Sequence, residues 1–234
     1  MSNLETYLYQ KIRDVMLTWD EPDIYAVSFF VYSNELLSFR EYDNVSTFAI
    51  SYNTEEDCEH AGRYSEERWN YAFWRQDETP IIEPEEGNTG MALLFEWYKE
   101  QGIDNIGYEG PDTPDGPVGF PELVQLAGRV ARRLQEEGFL REKFGRPIPI
   151  LVHDLEYSDC TIKATEYANP SREAADFLTQ GWTSAPLSPP PIPDPAALAG
   201  DFLKDPNKLR HLMAASPGLS PDYLMDMLKK LSGQ

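Results

Sequence analysis

Three histidines, two cysteines and forty carboxylates are the residues of this 234-residue chain whose chemistry invites a search for a reactive site. Cys58 and His60 form the one close pair of soft ligands. A structural zinc site takes four ligands, usually as two such pairs, and Cys160 lies far along the chain with no histidine beside it. A loop thiol and a surface imidazole are therefore the expectation, with no metal and no cofactor. His153 and Asp154 close an apolar run, where successive residues point to opposite faces of a strand; one is expected inside and one outside, rather than both on a single ion. A nucleophilic Cys58 would need an imidazole base within reach, and its acid-rich surroundings oppose thiolate formation. The sequence has no Gly-x-Ser-x-Gly elbow, no Gly-Lys-Ser/Thr phosphate loop and no Gly-x-Gly-x-x-Gly turn. Carboxylates are too numerous for a catalytic pair to be singled out, so a hydrolase with an acidic site stays a distant alternative.

Taken together, the carboxylates say more than any pair of them. Lys and Arg number 20 against 40 Asp and Glu, a formal net charge of −20. Phosphate backbones and anionic lipid are held by cationic side chains, so neither nucleic acid nor a membrane surface is an expected partner. The charge is uneven: residues 1–110 hold 23 acids and 7 bases. Two dense clusters stand out, Glu55, Glu56, Asp57 and Glu59, then Glu83, Glu85 and Glu86. Between them lie Trp69, Tyr71, Phe73 and Trp74, with Arg68 and Arg75 interspersed. A surface of one sign steers a partner of the other, and Trp69 and Trp74 are the residue type that anchors such interfaces. This pattern predicts an acidic, aromatic-edged face that grips a basic protein. The plainer alternative is that the acids solubilise the chain and the aromatics fill its core. Arg129, Arg132 and Arg133 are expected to balance the acidic half internally.

The elements that position these residues are partly legible. Leu4, Leu8, Ile12 and Val15 recur at helical spacing over residues 3–17, with Ser2 or Asn3 as a cap. The β-branched and aromatic run 24–32 predicts a strand, as do 36–39 and 47–52, in sequence an antiparallel meander packed on the first helix. Leu93, Leu94, Trp97 and Tyr98 predict a helix ending near Gly102, and 107–119 reads as an exposed loop. Leu123, Leu126, Val130 and Leu134 mark a helix over 121–137, closed by Gly138. A buried strand over 148–155 and a short helix within 171–180 complete a predicted α+β main domain, residues 1–182. Six prolines within 183–195 predict an extended linker, followed by a helical tail over 196–234, where Leu224, Met225, Leu228 and Leu231 share one face. No apolar run approaches the roughly 20 residues of a spanning helix. The opening residues lack the basic start and apolar stretch of a secretion signal, and two unpaired cysteines fit a reducing compartment, so the cytoplasm is the expected location.

The order of elements resembles a known family. An N-terminal helix leads to strands like Ile24–Tyr32, then a Trp-containing segment, Glu67-Arg-Trp-Asn-Tyr-Ala-Phe-Trp74, a helix, a strand like Ile148–Leu155 and a closing Asn169-Pro170. Over residues 1–180 this is similar to the bacterial domain of unknown function numbered 4303, whose members often lie near polymorphic toxin loci. The resemblance transfers no catalytic residue. It implies an α+β cytoplasmic protein that neutralises a co-encoded toxin. Nuclease toxins tend to be basic because their substrate is anionic, and an acidic inhibitor imitates that substrate. An adaptor or chaperone for a secretion-system effector, with the helical tail as its second contact, is the alternative.

Overall fold

The protein is described here from a computed structural model, which describes residues 2–33, 44–58, 61–85, 87–155, 157–180 and 229–230. The chain divides into two units, Met1–Ser184 and Ala185–Gln234. Of the second, only the helical Lys229 and Lys230 are described. The expected strand over 36–39, the proline linker and nearly all of the helical tail lie outside the described residues.

Within the first unit, β1 (Ile24–Ser33) pairs antiparallel with β2 (Ser46–Thr54), and β2 pairs antiparallel with β3 (Thr79–Ile82). The fourth strand, β4 (Ile150–His153), lies on the other side of β1 and runs parallel to it, giving the order β3-β2-β1-β4. The fold is α+β as expected, but the sheet is mixed rather than antiparallel. Its parallel pair is reached only after the chain has built α1 (Asn3–Leu17) before the sheet and α2 (Glu66–Trp69), α3 (Thr89–Glu100), α4 (Phe120–Glu136) and α5 (Phe139–Phe144) within the connections. After β4 come α6 (Asp159–Ala168) and α7 (Ala175–Leu178).

The two faces of the sheet differ in kind, and the alternation of side chains explains why. Val27, Phe29 and Val31 of β1, Phe48 and Ile50 of β2 and Ile150 and Val152 of β4 point to one side. There they meet Leu8 and Ile12 of α1, Leu94 of α3 and Leu123, Ala127 and Val130 of α4 in the main apolar core. Helices α1 and α3 each bury an apolar stripe and begin where a polar side chain takes up a free backbone amide: Ser2 accepts from Glu5, and Asn88 from Met91. Helix α4 starts differently. Gly119 sits at φ +96°, and the Tyr98 hydroxyl donates to its carbonyl at 2.9 Å. A Cβ on Gly119 would lie 2.9 Å from the Tyr98 ring, so the turn into α4 requires both the left-handed backbone and the missing side chain.

The outer margin of β4 meets a helix instead of a strand. Thr165 Oγ1 accepts from the Val152 amide at 2.8 Å and donates to the Val152 carbonyl at 2.9 Å. One helical turn later, Asn169 Oδ1 accepts from the Ile150 amide at 3.0 Å while Nδ2 donates to the Ile150 carbonyl at 2.7 Å. Spaced i, i+4, the two side chains fall on one face of α6 and its C-terminal cap, and they take up edge groups of β4 as a strand backbone would. Helix α6 approaches closely because its buried face is small, Thr161, Ala164, Thr165 and Ala168. On α4, a Cβ at Gly128 would come within 3.3 Å of the Ala164 carbonyl.

Candidate functional site

The opposite face of the sheet holds the segment that the sequence singles out. A register shift between Ile24 and Ala26 turns Tyr25 to the same side as Ala26, where both join Trp69, Tyr71, Trp74, Leu151, Tyr157 and Phe177 in a second apolar cluster. Four polar strand residues share this face. Ser28 of β1 lies opposite Ser51 of β2, Asn53 of β2 lies opposite Ala26, and His153 pairs with Phe30. The described residues of 54–78, with Asp154, Leu155, Tyr157 and residues 174–178, form a cover over them.

Two hydrogen-bonded networks fasten the cover. In the first, the Tyr25 hydroxyl donates to the Arg68 carbonyl, Asn53 Nδ2 donates to the same hydroxyl at 3.0 Å, and Cys58 Sγ lies 3.2 Å from it. The Arg68 guanidinium sits 3.9 Å above the Tyr25 ring and makes two bonds of 2.7 Å to Glu55. Those bonds hold the Glu55 carboxyl below its ordinary range. In the second, the Tyr157 hydroxyl donates to the Trp69 carbonyl at 2.6 Å and accepts from the Tyr71 amide at 3.1 Å. His153 stands beneath, its ring packed against Tyr71, Phe30 and Tyr157. Its Nδ1 donates to the Asp154 carbonyl, and Nε2 therefore accepts from the Ser28 hydroxyl, each at 2.8 Å.

A serine bonded to an oriented imidazole is the ingredient of a nucleophilic site. Ser28 and His153 are both fully buried, and burial lowers the His153 pKa to about 4. The pair acts as a neutral internal cross-link between β1 and β4, as the strand alternation predicts for His153; Asp154 is half-buried. Among the described residues, no three His, Cys, Asp or Glu side chains are grouped to hold a metal ion.

The expected partner-binding residues separate into distinct sets. Trp69 and Trp74 are 4% and 5% exposed, a correction to their reading as surface anchors. Their indole N–H groups donate inward, Trp69 to the Arg63 carbonyl at 2.7 Å and Trp74 to the Arg68 carbonyl at 3.1 Å. Satisfied in this way, both rings become core. Glu55 pairs with Arg68. Asp57 shares Arg75 with Glu21 and Asp77, at 3.2, 3.0 and 3.8 Å. Glu56 and Glu85 are exposed, Glu83 is half-buried, and Glu59 and Glu86 lie outside the described residues. Arg132 and Arg133 pair along their own helix with Glu136 and Glu137, and Arg133 also feels Glu5 of the acidic half.

Residues missed from the sequence are Ser28, Asn53 and Tyr157. The signal for the first two is the small or polar residue at alternate positions of strands whose other face is wholly apolar. Phe73 is the ring of the aromatic segment that points outward. No protein-family model, curated protein or solved structure matches the chain. No helix among the described residues is long and apolar enough to cross a membrane.

Proposed function

We propose that the protein is an acidic binding protein whose cover, with the adjoining residues 79–85, engages a basic protein, and that this partner is a toxin it neutralises, in keeping with the resemblance to the domain of unknown function numbered 4303. One observation carries the reading. Described residues 55–85 contain nine carboxylates and three arginines, and each arginine is occupied by an internal ion pair: Arg63 with Asp176, Arg68 with Glu55, Arg75 with Glu21, Asp57 and Asp77. The cations are turned to holding the cover in place. Glu56, Glu66, Glu67 and Glu85 remain exposed, and a fixed excess of one sign steers a partner of the other.

The test is co-purification with the product of the neighbouring gene at low and high salt. Glu56, Glu66 and Glu67 are then changed together to glutamine. Binding should weaken with salt and with the triple change, mainly through slower association, while folding is untouched. Salt-insensitive binding, or none, refutes the reading.

A further inference from the structure

The underside of the cover meets polar atoms that the two networks leave over. Asn53 is 0% exposed and Ser51 1%, and neither Asn53 Oδ1 nor Ser51 Oγ has a hydrogen-bond partner among the described residues. The other end of the Asn53 amide is fully used, Nδ2 donating to the Tyr25 hydroxyl and to Cys58 Sγ. A buried polar atom left unpaired costs free energy, so such atoms are nearly always met by protein or by an internal water. Asn53 and Ser51 stand two positions apart on one face of β2. The rings that meet them are joined, for Trp74 packs against Tyr25 at 6.0 Å and against Tyr71 at 5.8 Å. Tyr25 marks the Asn53 end. Tyr71 marks the Ser51 end: burial and Glu78 push the Tyr71 pKa up, and the nearby Ser51 hydroxyl partly opposes them. Every polar proton on these three rings is committed elsewhere. The Tyr25 hydroxyl and the Trp74 indole donate to the Arg68 carbonyl, and the Tyr71 hydroxyl donates to Glu78. None is left for the Asn53 oxygen.

We infer that one water molecule is bound between Asn53 Oδ1 and Ser51 Oγ, closed off from solvent by Tyr25, Tyr71 and Trp74. Residues two apart on a strand lie roughly 7 Å from one another at the backbone, a gap that two bonds of about 2.8 Å to one water span. Water suits both ends, since the amide oxygen requires a donor and the serine hydroxyl serves as donor or acceptor. The strand residues around the site are small: Ala26 lies opposite Asn53 and Ser28 opposite Ser51, with Ala49 next on the same face of β2. Because Tyr71 and Trp74 belong to the cover, the water exchanges with solvent only when the cover opens, and its residence time measures that opening. The inference concerns the underside of the cover and stands apart from the reading of its outer face as a site for a basic protein.

Oxygen-17 magnetic relaxation dispersion of the full-length chain counts waters held for longer than the protein takes to tumble. Folded proteins hold about one internal water per 27 residues, so the count is read as a difference between variants. Ser51→Val replaces the hydroxyl by two methyl groups and should remove one such water; an unchanged count overturns the inference. Melting curves of Ser51→Ala test it again with no added bulk. Loss of a hydroxyl that holds water should lower the melting temperature by about 2–4 °C. An unliganded buried hydroxyl costs stability instead, so a rise, or no change, overturns the inference. The same substitution made in Tyr71→Phe separates the water from the neighbouring phenol. The fall should persist there, and its disappearance assigns the Ser51 hydroxyl to Tyr71 and overturns the water.

Discussion

Replacing Asn169 by alanine tests the account of the sheet margin most severely. Its side chain uses all of its hydrogen-bonding capacity. Oδ1 accepts from the Ile150 amide at 3.0 Å and from Gln135 Nε2 at 3.1 Å; Nδ2 donates to the carbonyls of Ile150 and Thr165, each at 2.7 Å. Gln135 keeps its second acceptor, the Ile148 carbonyl at 2.8 Å. Alanine thus strands two buried backbone groups, the amide and the carbonyl of Ile150. At roughly 1–3 kcal/mol for each unsatisfied group, the loss is about 2–6 kcal/mol, a large share of the roughly 5–15 kcal/mol typical of a folded domain. Urea denaturation of the full chain should show a lower midpoint at an unchanged slope. Asn169→Asp sharpens the test. It keeps the acceptor for the Ile150 amide but sets a carboxylate against two carbonyls, and should do no better than alanine. An alanine variant within about 0.5 kcal/mol of the parent, the usual range for a surface change, would refute the claim that this side chain closes the strand.

Other outcomes follow from the same packing. His153 has a folded pKa near 4 against an ordinary 6.5, so the native state resists the proton. Its stabilisation is complete above about pH 6.5 and falls as pH drops toward 4, by about 2 kcal/mol between roughly pH 7.5 and 5; denaturant titration at the two pH values should show the loss, and His153→Gln should flatten it. Gly119→Ala meets both a positive φ and the Tyr98 ring, whereas Gly138→Ala meets only a positive φ of +77° with open space around it. Gly138→Ala should cost about 1–2 kcal/mol and Gly119→Ala distinctly more, read from the difference in melting temperature. Glu55→Gln breaks the pair with Arg68 and should lower stability while barely altering affinity for a basic partner, the reverse of the Glu66 and Glu67 changes; calorimetric binding and melting curves separate the two.

The sequence declares the elements whose burial is periodic. Helix α4 presents Leu123, Leu126, Val130 and Leu134 at helical spacing, and β1 and β2 are dense in β-branched and aromatic residues, so their existence and approximate limits are readable. Helix α6 escapes because its buried face is threonine and alanine, chosen for closeness to Gly128 and for bonding β4, and such a face has no apolar stripe to detect. Strand β3 is four residues long, contains Pro80 and lies amid acids, so pattern has little to act on. The direction of β4 depends on a pairing more than a hundred residues apart, which no local signal encodes. Within the site, the acid excess is plain from composition. Which aromatics face outward is not, because Trp69 and Trp74 are drawn inside by carbonyls of Arg63 and Arg68 that only the folded chain brings to them.

The threonine and asparagine of α6 have a consequence for self-association. A strand that ends a sheet is a template on which a second chain can add itself, and β4 would be one were its amides and carbonyls open. Helix α6 occupies that template, so no copy can extend the sheet there while the helix is docked. The hazard is thereby moved to a partial opening: loss of α6 alone, with the rest of the fold intact, uncovers an apolar strand ready to polymerise.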